Sequence, residues 1–190
     1  MAPQRFDSSS APPALPRCIQ AVRMNEGSNQ PTGAVACALA KGQPMKAKSD
    51  VAVDRFLAGY NCAQAVLYSF CDDLPFDKDA ALRLATGFGA GMARKQEVCG
   101  AISGGILALG LKRGRGEGQD RALTEETYRK VRELMSRFES RHGSCLCRTL
   151  LNGCDLNTPE GQRYFKENNL LNATCVGCVK TVVETVEDIL

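Results

Sequence analysis

The sequence predicts an all-α protein, a single compact bundle of about six to seven helices around a buried, glycine-rich central helix. Three observations lead there. Beyond residue 45, apolar residues recur at three- and four-residue spacing, the period of one helix face. Ser, Thr, Asn, Asp and Pro stand at the starts of these runs, and Gly at several ends, as helix caps do. No alternating run of useful length occurs, so strands have no support.

Residues 1–44 stand outside the bundle. Ser8-Ser9-Ser10-Ala11-Pro12-Pro13, with Pro16, Pro31 and Pro44, interrupts every periodic pattern. A segment so poor in large aliphatics buries too little surface to offset its ordering cost. The expectation is a disordered or non-native leader, Met45 as the true start, a domain over 45–190, and no role for Cys18 and Cys37. An intact mass of the native protein checks the start. Removing residues 1–44 should leave the thermal transition nearly unchanged, and a large loss of stability would contradict that boundary.

The elements then follow in order. Ser49 is placed to cap a helix reaching residue 58, with Gly59 as its stop. Asn61 caps a second over 62–71, with Ala63, Val66, Leu67 and Phe70 inward. Asp77 opens a third, to residue 86, followed by a glycine-rich tight turn at 87–91. The central helix is read from 97–111, where no charge occurs after Glu97; a helix apolar all round is normally buried. Gly100 and Gly104, four apart, fall on one face of it and admit a neighbouring backbone. A charged loop over 112–119 leads to an amphipathic helix over 124–141, with Val131, Leu134, Met135 and Phe138 inward. His142 at its end is expected to interact with the helix terminus, not to act as a ligand or base. Ser144 is placed to open a short helix over 145–152 that Gly153 stops. Thr158-Pro159-Glu160 starts another. Thr174 is placed to cap a last helix over 175–190, with Val179, Val182, Val183, Val186 and Leu190 on one stripe.

Composition narrows the function classes. A net charge of +3 with a pI of about 8.3 argues for neither nucleic acid nor an anionic membrane surface. The charge-free run is too short to span a bilayer, which takes roughly 20 apolar residues, so no membrane insertion is expected. One histidine nearly excludes sites built from several imidazoles. Ten cysteines in 190 residues without a convincing export signal point to a cytoplasmic, reducing setting, where a cysteine cluster means redox chemistry or metal.

Four places put thiols at or near an expected helix start: Cys62, Cys99, Cys145 with Cys147, and Cys175 with Cys178. The unpaired N–H groups and the dipole there favour thiolates. Cys99 is the expected strongest thiolate, and Cys62 its expected partner. Cys71 lies nine residues beyond Cys62, roughly half a turn round and ~13 Å along one helix, so it reads as a packing residue. Cys145 and Cys147, two apart, should face different ways. The direction of Cys154, beyond the Gly153 stop, stays open. Cys175-Val-Gly-Cys178 is a CxxC of the dithiol oxidoreductase type.

These motifs resemble a family. Gly59-Tyr-Asn-Cys62-Ala-Gln-Ala-Val66, Gly87-Phe-Gly-Ala-Gly-Met92, the hexapeptide Cys99-Gly-Ala-Ile-Ser-Gly104, Cys147-Arg-Thr-Leu-Leu151 and Cys178 with the closing helix are similar to the bacterial and archaeal redox-active proteins named for their pattern, C-GCAxxG-C-C. The likeness spans about 46–190. It implies a small helical protein with four functional cysteines, Cys62, Cys99, Cys147 and Cys178, and redox activity or a cysteine-bound redox centre without a defined reaction. Cys145, Cys154 and Cys175 exceed the pattern. The leading expectation is thiol/disulfide or electron-transfer chemistry with a redox partner protein or small thiol. The alternative is that the same four cysteines, with Cys175 or Cys145 as further ligands, bind an iron–sulfur cluster or another soft metal.

Overall fold

The computed structural model describes residues 46–74 and 76–190; the expected leader and the start at Met45 lie outside them. Among the described residues there is no strand, and the one extended pairing is an isolated antiparallel bridge between Val98 and Leu146.

Helix α1 (Lys48–Leu57) begins one residue before Ser49, which therefore does not cap it; Ala47 holds the cap position and offers no side-chain acceptor. Its end follows the sequence signal. Gly59 takes φ +99°, and the Gly59 and Tyr60 amides donate back to Phe56 and Arg55, the double closure that a left-handed glycine permits. Helix α2 (Cys62–Ser69) opens on a capping box: Asn61 Oδ1 accepts from the Gln64 amide and Gln64 Oε1 from the Asn61 amide. The anticipated inward residues Ala63, Val66, Leu67 and Phe70 are all buried. Beyond Ser69 the chain tightens into a 3₁₀ turn, Cys71–Asp73. Helix α3 (Lys78–Ala85) has the expected Asp77 cap, accepting from the Ala80 amide.

Helix α4 (Gly100–Arg113) begins with Cys99 at its N-cap. Its first turns are buried, whereas Ile106, Leu107 and Gly110 are part-buried and Leu111 is exposed. A charge-free sequence therefore does not bury the helix along its whole length. At Gly104 a Cβ would lie 2.6 Å from the Ala63 carbonyl oxygen, so this glycine lets α2 cross at backbone contact. Helix α5 (Ala122–His142) buries Leu134 and Phe138, and Gly143 at φ +82° ends it. The ring of His142 stacks on Phe138 at 4.5 Å, with Nε2 2.9 Å from Thr181 Oγ1.

A single turn, α6 (Cys147–Leu150), follows the bridge. Cys145 precedes it at a bend, so Ser144 does not open a helix there; its Oγ accepts from the Leu146 amide. Helix α7 (Pro159–Glu167) starts as expected, with Thr158 accepting from the Gly161 amide and Pro159 in its first turn. The last helix departs from expectation at its entrance. The amides of Asn172 and Ala173 already donate to Asn169, and a π-helical turn, Leu171–Cys175, runs directly into α8 (Val176–Ile189). Thr174 thus lies inside a continuous helical path. The valine stripe is fully buried at Val179, Val182, Val183 and Val186, and α8 packs against α1, α2, α4 and α5.

Cys71 is buried, and its thiol donates to the Leu67 carbonyl at 3.5 Å. Cys71→Ala should therefore cost about 1 kcal/mol in denaturant unfolding, as a small core truncation does, and leave thiol chemistry elsewhere unchanged. Loss of that chemistry in a folded variant would place Cys71 in the site after all.

Candidate functional site: a sulfur-lined cavity

Cys62, Cys99, Cys147, Cys175 and Cys178 line one cavity of about 420 Å³. Three local devices bring them there. Cys62 is the first residue of α2, and its sulfur occupies the space that Gly100 leaves: a Cβ there would sit 2.5 Å from Cys62 Sγ and 2.7 Å from the Phe88 carbonyl. Cys99 and Cys147 are brought together by the Val98–Leu146 bridge. The Cys99 amide donates to Cys145 at 2.8 Å, and the Cys147 amide to Glu97 at 2.7 Å. Cys175 and Cys178 are three apart on one helical path and so share a face.

The fourth device is a strained turn. Residues 90–94 all have positive φ, between 51° and 69°, and Gln96 has 61°. Left-handed backbone costs non-glycine residues roughly 1–2 kcal/mol each. Surrounding hydrogen bonds hold it. The Glu97 amide donates to Gly91 at 3.1 Å. The buried Gln96 side chain donates to Cys154 at 2.6 Å and accepts from the Leu156 amide at 2.9 Å. Asn157 Nδ2 donates to the Arg94 carbonyl at 2.8 Å. At Gly91 a Cβ would meet Cys147 Cβ at 2.8 Å, so only glycine fits beneath that cysteine. The Ala90 amide in this turn favours the Cys62 thiolate.

The electrostatics reverse the expected activation. Burial, reinforced by Cys99, pushes the Cys62 thiol up to about 12, against the pull of the Ala90, Ala63 and Cys62 amides. Burial, with Cys99 and Cys62, likewise pushes Cys147 up to about 12. Burial raises Cys175 as well. Cys99 is raised first by its hydrogen bond to the Cys178 side chain and then by burial. The amides of Ala101 and Ile102 favour its thiolate, yet the sulfur makes no regular cap hydrogen bond. Cys99 is therefore not a low-pKa thiolate: in a low-dielectric cavity shared by several sulfurs, desolvation and mutual repulsion outweigh the helix end. For Cys175 and Cys178 the dipole argument also fails geometrically, because α8 does not start at them.

The remaining cysteines face elsewhere. The Cys145 thiol donates to the Met135 carbonyl at 3.5 Å, and Cys154 to Gly161 at 3.2 Å; neither lines the cavity. Cys145 and Cys147 do face different ways, but because the extended bridge ends between them, not because they share a helix. Among the described residues, no three His, Cys, Asp or Glu side chains stand in a metal-holding arrangement. All eight described cysteines are free. The cavity walls are apolar, from Phe56, Leu151, Leu156, Phe165 and Leu171, and Asn61, Gln162, Arg94 and Lys166 supply its polar atoms. Among the described residues, no helix is long and apolar enough to cross a membrane.

Four of the five cavity sulfurs are the four that the family resemblance names; Cys175, which exceeds that pattern and enters only as a further ligand in the metal reading, lines the same cavity. The CxxC spacing was the signal for it. No curated protein and no solved structure matches the chain. A family match covers residues 60–189, from the residue before the Asn61 capping box to the end of α8, and the chain belongs to the family described as "Putative redox-active protein (C_GCAxxG_C_C)".

Proposed function

We propose that this redox-active protein works by thiol/disulfide chemistry, with Cys62, Cys99, Cys147 and Cys178 as the reactive sulfurs of the cavity. The observation that carries the reading is the convergence of these four thiols, from four separate elements, on one space with apolar walls. Within it we assign Cys99 and Cys178 as the pair that closes, in place of Cys99 and Cys62, because both line the cavity and the Cys178 side chain is the largest single influence on the Cys99 thiol. Closure brings the two sulfurs to a bond of about 2.04 Å. Closure releases two electrons and two protons to a redox partner protein or small thiol/disulfide couple. A reducing, cytoplasmic setting would keep the pair as the dithiol.

Cys178→Ala should abolish the intramolecular disulfide formed on mild oxidation, leaving the count of free thiols at its reduced value. Cys154→Ala should still lose two thiols on oxidation. Equal behaviour of the two variants would sink the assignment.

Five thiols around one space are also a soft donor set of the kind iron–sulfur clusters and soft metals take. That reading ranks second because the sulfurs are not preassembled around a common point.

A further inference from the structure

The cavity's charge is one-sided. Arg94 and Lys166 line it and no carboxylate does. Among the described residues neither cation makes an ion pair. Of the two amides at the same cavity, Gln162 Nε2 donates to the Leu156 carbonyl at 3.0 Å, and Asn61 Nδ2 to the Thr86 carbonyl at 3.0 Å. Arg94 and Lys166, both exposed side chains, are the unpaired charges of the site. They do not serve to activate the sulfurs, whose shifts are set chiefly by burial and by one another. Arg94 is held at φ +69° at the end of the strained turn, with its carbonyl tied to Asn157. At about 420 Å³ the space falls in the range of small-molecule sites, more than a dithiol closing on itself requires.

We propose that the substrate class of this cavity is a small anionic disulfide, its carboxylate held by Arg94 and Lys166, its organic body against the apolar walls and its sulfurs towards the cysteines. This rests on the thiol/disulfide reading above. In one turnover a cavity thiol gives its proton to solvent, and the thiolate attacks one sulfur of the substrate. A mixed disulfide forms and the first substrate thiolate leaves and is protonated. A second cavity thiol loses its proton and attacks the protein sulfur of the mixed disulfide. The protein disulfide closes and the second substrate thiol departs. The substrate disulfide gains two electrons and two protons, and the cavity dithiol loses them.

Two measurements on the full chain test this and separate its failure from failure of the redox reading. The first is alkylation of the reduced cavity cysteines by iodoacetate and by uncharged iodoacetamide, each mapped by mass spectrometry and normalised to an exposed model thiol. The normalised preference for iodoacetate should be about tenfold, the low end of electrostatic steering. It should fall towards one in Arg94→Gln/Lys166→Gln and, in the unaltered protein, with added salt. The second is reduction of dithiodipropionate, which is anionic, against cystamine, which is cationic, with the dianion about tenfold faster. No iodoacetate preference, or one that survives the double substitution, overturns the anion site. Equal rates for the two disulfides overturn the substrate class and leave the thiol/disulfide reading intact. An intact iodoacetate preference without reduction of either disulfide supports the anion site and overturns the redox reading.

Discussion

Raising the pH from about 8 to about 10 should lower the melting temperature of the reduced, metal-free protein steeply. The cause is the thiols that the fold keeps neutral. Cys62 and Cys147 are pushed up to about 12 in the folded state, whereas an unfolded chain's cysteines ionise near 8.5. A raised folded pKa stabilises the fold fully below the unfolded value, and that contribution drains away as pH climbs from there towards 12. Each such thiol costs about 1.4 kcal/mol per pH unit across that window, so the pair removes about 4 kcal/mol by pH 10 at most, and less to the extent that Cys62 is open to solvent. That is a large share of a domain's usual 5–15 kcal/mol. Lys and Tyr residues also titrate at the upper end, so the diagnostic quantity is the difference between the unaltered protein and Cys62→Ala/Cys147→Ala. The double variant should start lower and fall more gently. Parallel slopes would mean that the cavity does not exclude water from these sulfurs.

Gly100→Ala and Gly110→Ala should move stability in opposite directions, although both glycines sit in α4 and alanine is the better helix former by about 1 kcal/mol. At Gly110 an added Cβ meets nothing within 4 Å, so the propensity gain stands and the variant should be stabilised by about 0.5–1 kcal/mol. At Gly100 the same atom runs into Cys62 Sγ and the Phe88 carbonyl, at 2.5 and 2.7 Å. The sulfur can rotate away, but the backbone oxygen belongs to the turn that positions residues 90–94. The expected cost is about 1–3 kcal/mol, the range for overpacking, together with faster alkylation of Cys62 once it is driven out of its recess. Denaturant unfolding and site-resolved labelling read both effects. A neutral or stabilised Gly100→Ala with unchanged Cys62 labelling would show that this glycine does not shape the site.

What was legible in the sequence was whatever local chemistry dictates. The Asn61 and Asp77 caps, the Gly59 stop, the Thr158-Pro159 start and the α8 valine stripe all stand where side-chain chemistry and period place them. What was not legible depends on contacts between distant segments. Nothing local signals that Val98 and Leu146 pair, and that pairing sets Cys99 beside Cys147. Ala90, Met92, Ala93 and Arg94 are ordinary residues whose left-handed backbone is imposed by Gln96, Asn157 and the bridge. Ser49, Ser144 and Thr174 look like caps, but a cap-forming residue offers a start without compelling one. The asparagine that does open the α8 path, Asn169, takes φ 49° after the end of α7. The thiolate argument failed for a related reason. A helix end is a local feature, whereas desolvation is set by everything that packs around it, and here packing wins.

The measurement that tests the central claim most directly is disulfide mapping of anaerobically purified protein after titration with a mild two-electron oxidant, with visible absorbance and metal content recorded first. The thiol/disulfide reading predicts a colourless protein without stoichiometric metal that consumes one mole of the two-electron oxidant per mole of protein, loses two free thiols, and links Cys99 to Cys178. Stoichiometric iron with absorbance in the 400 nm region, or a linked pair drawn from Cys71, Cys145 and Cys154, would contradict it.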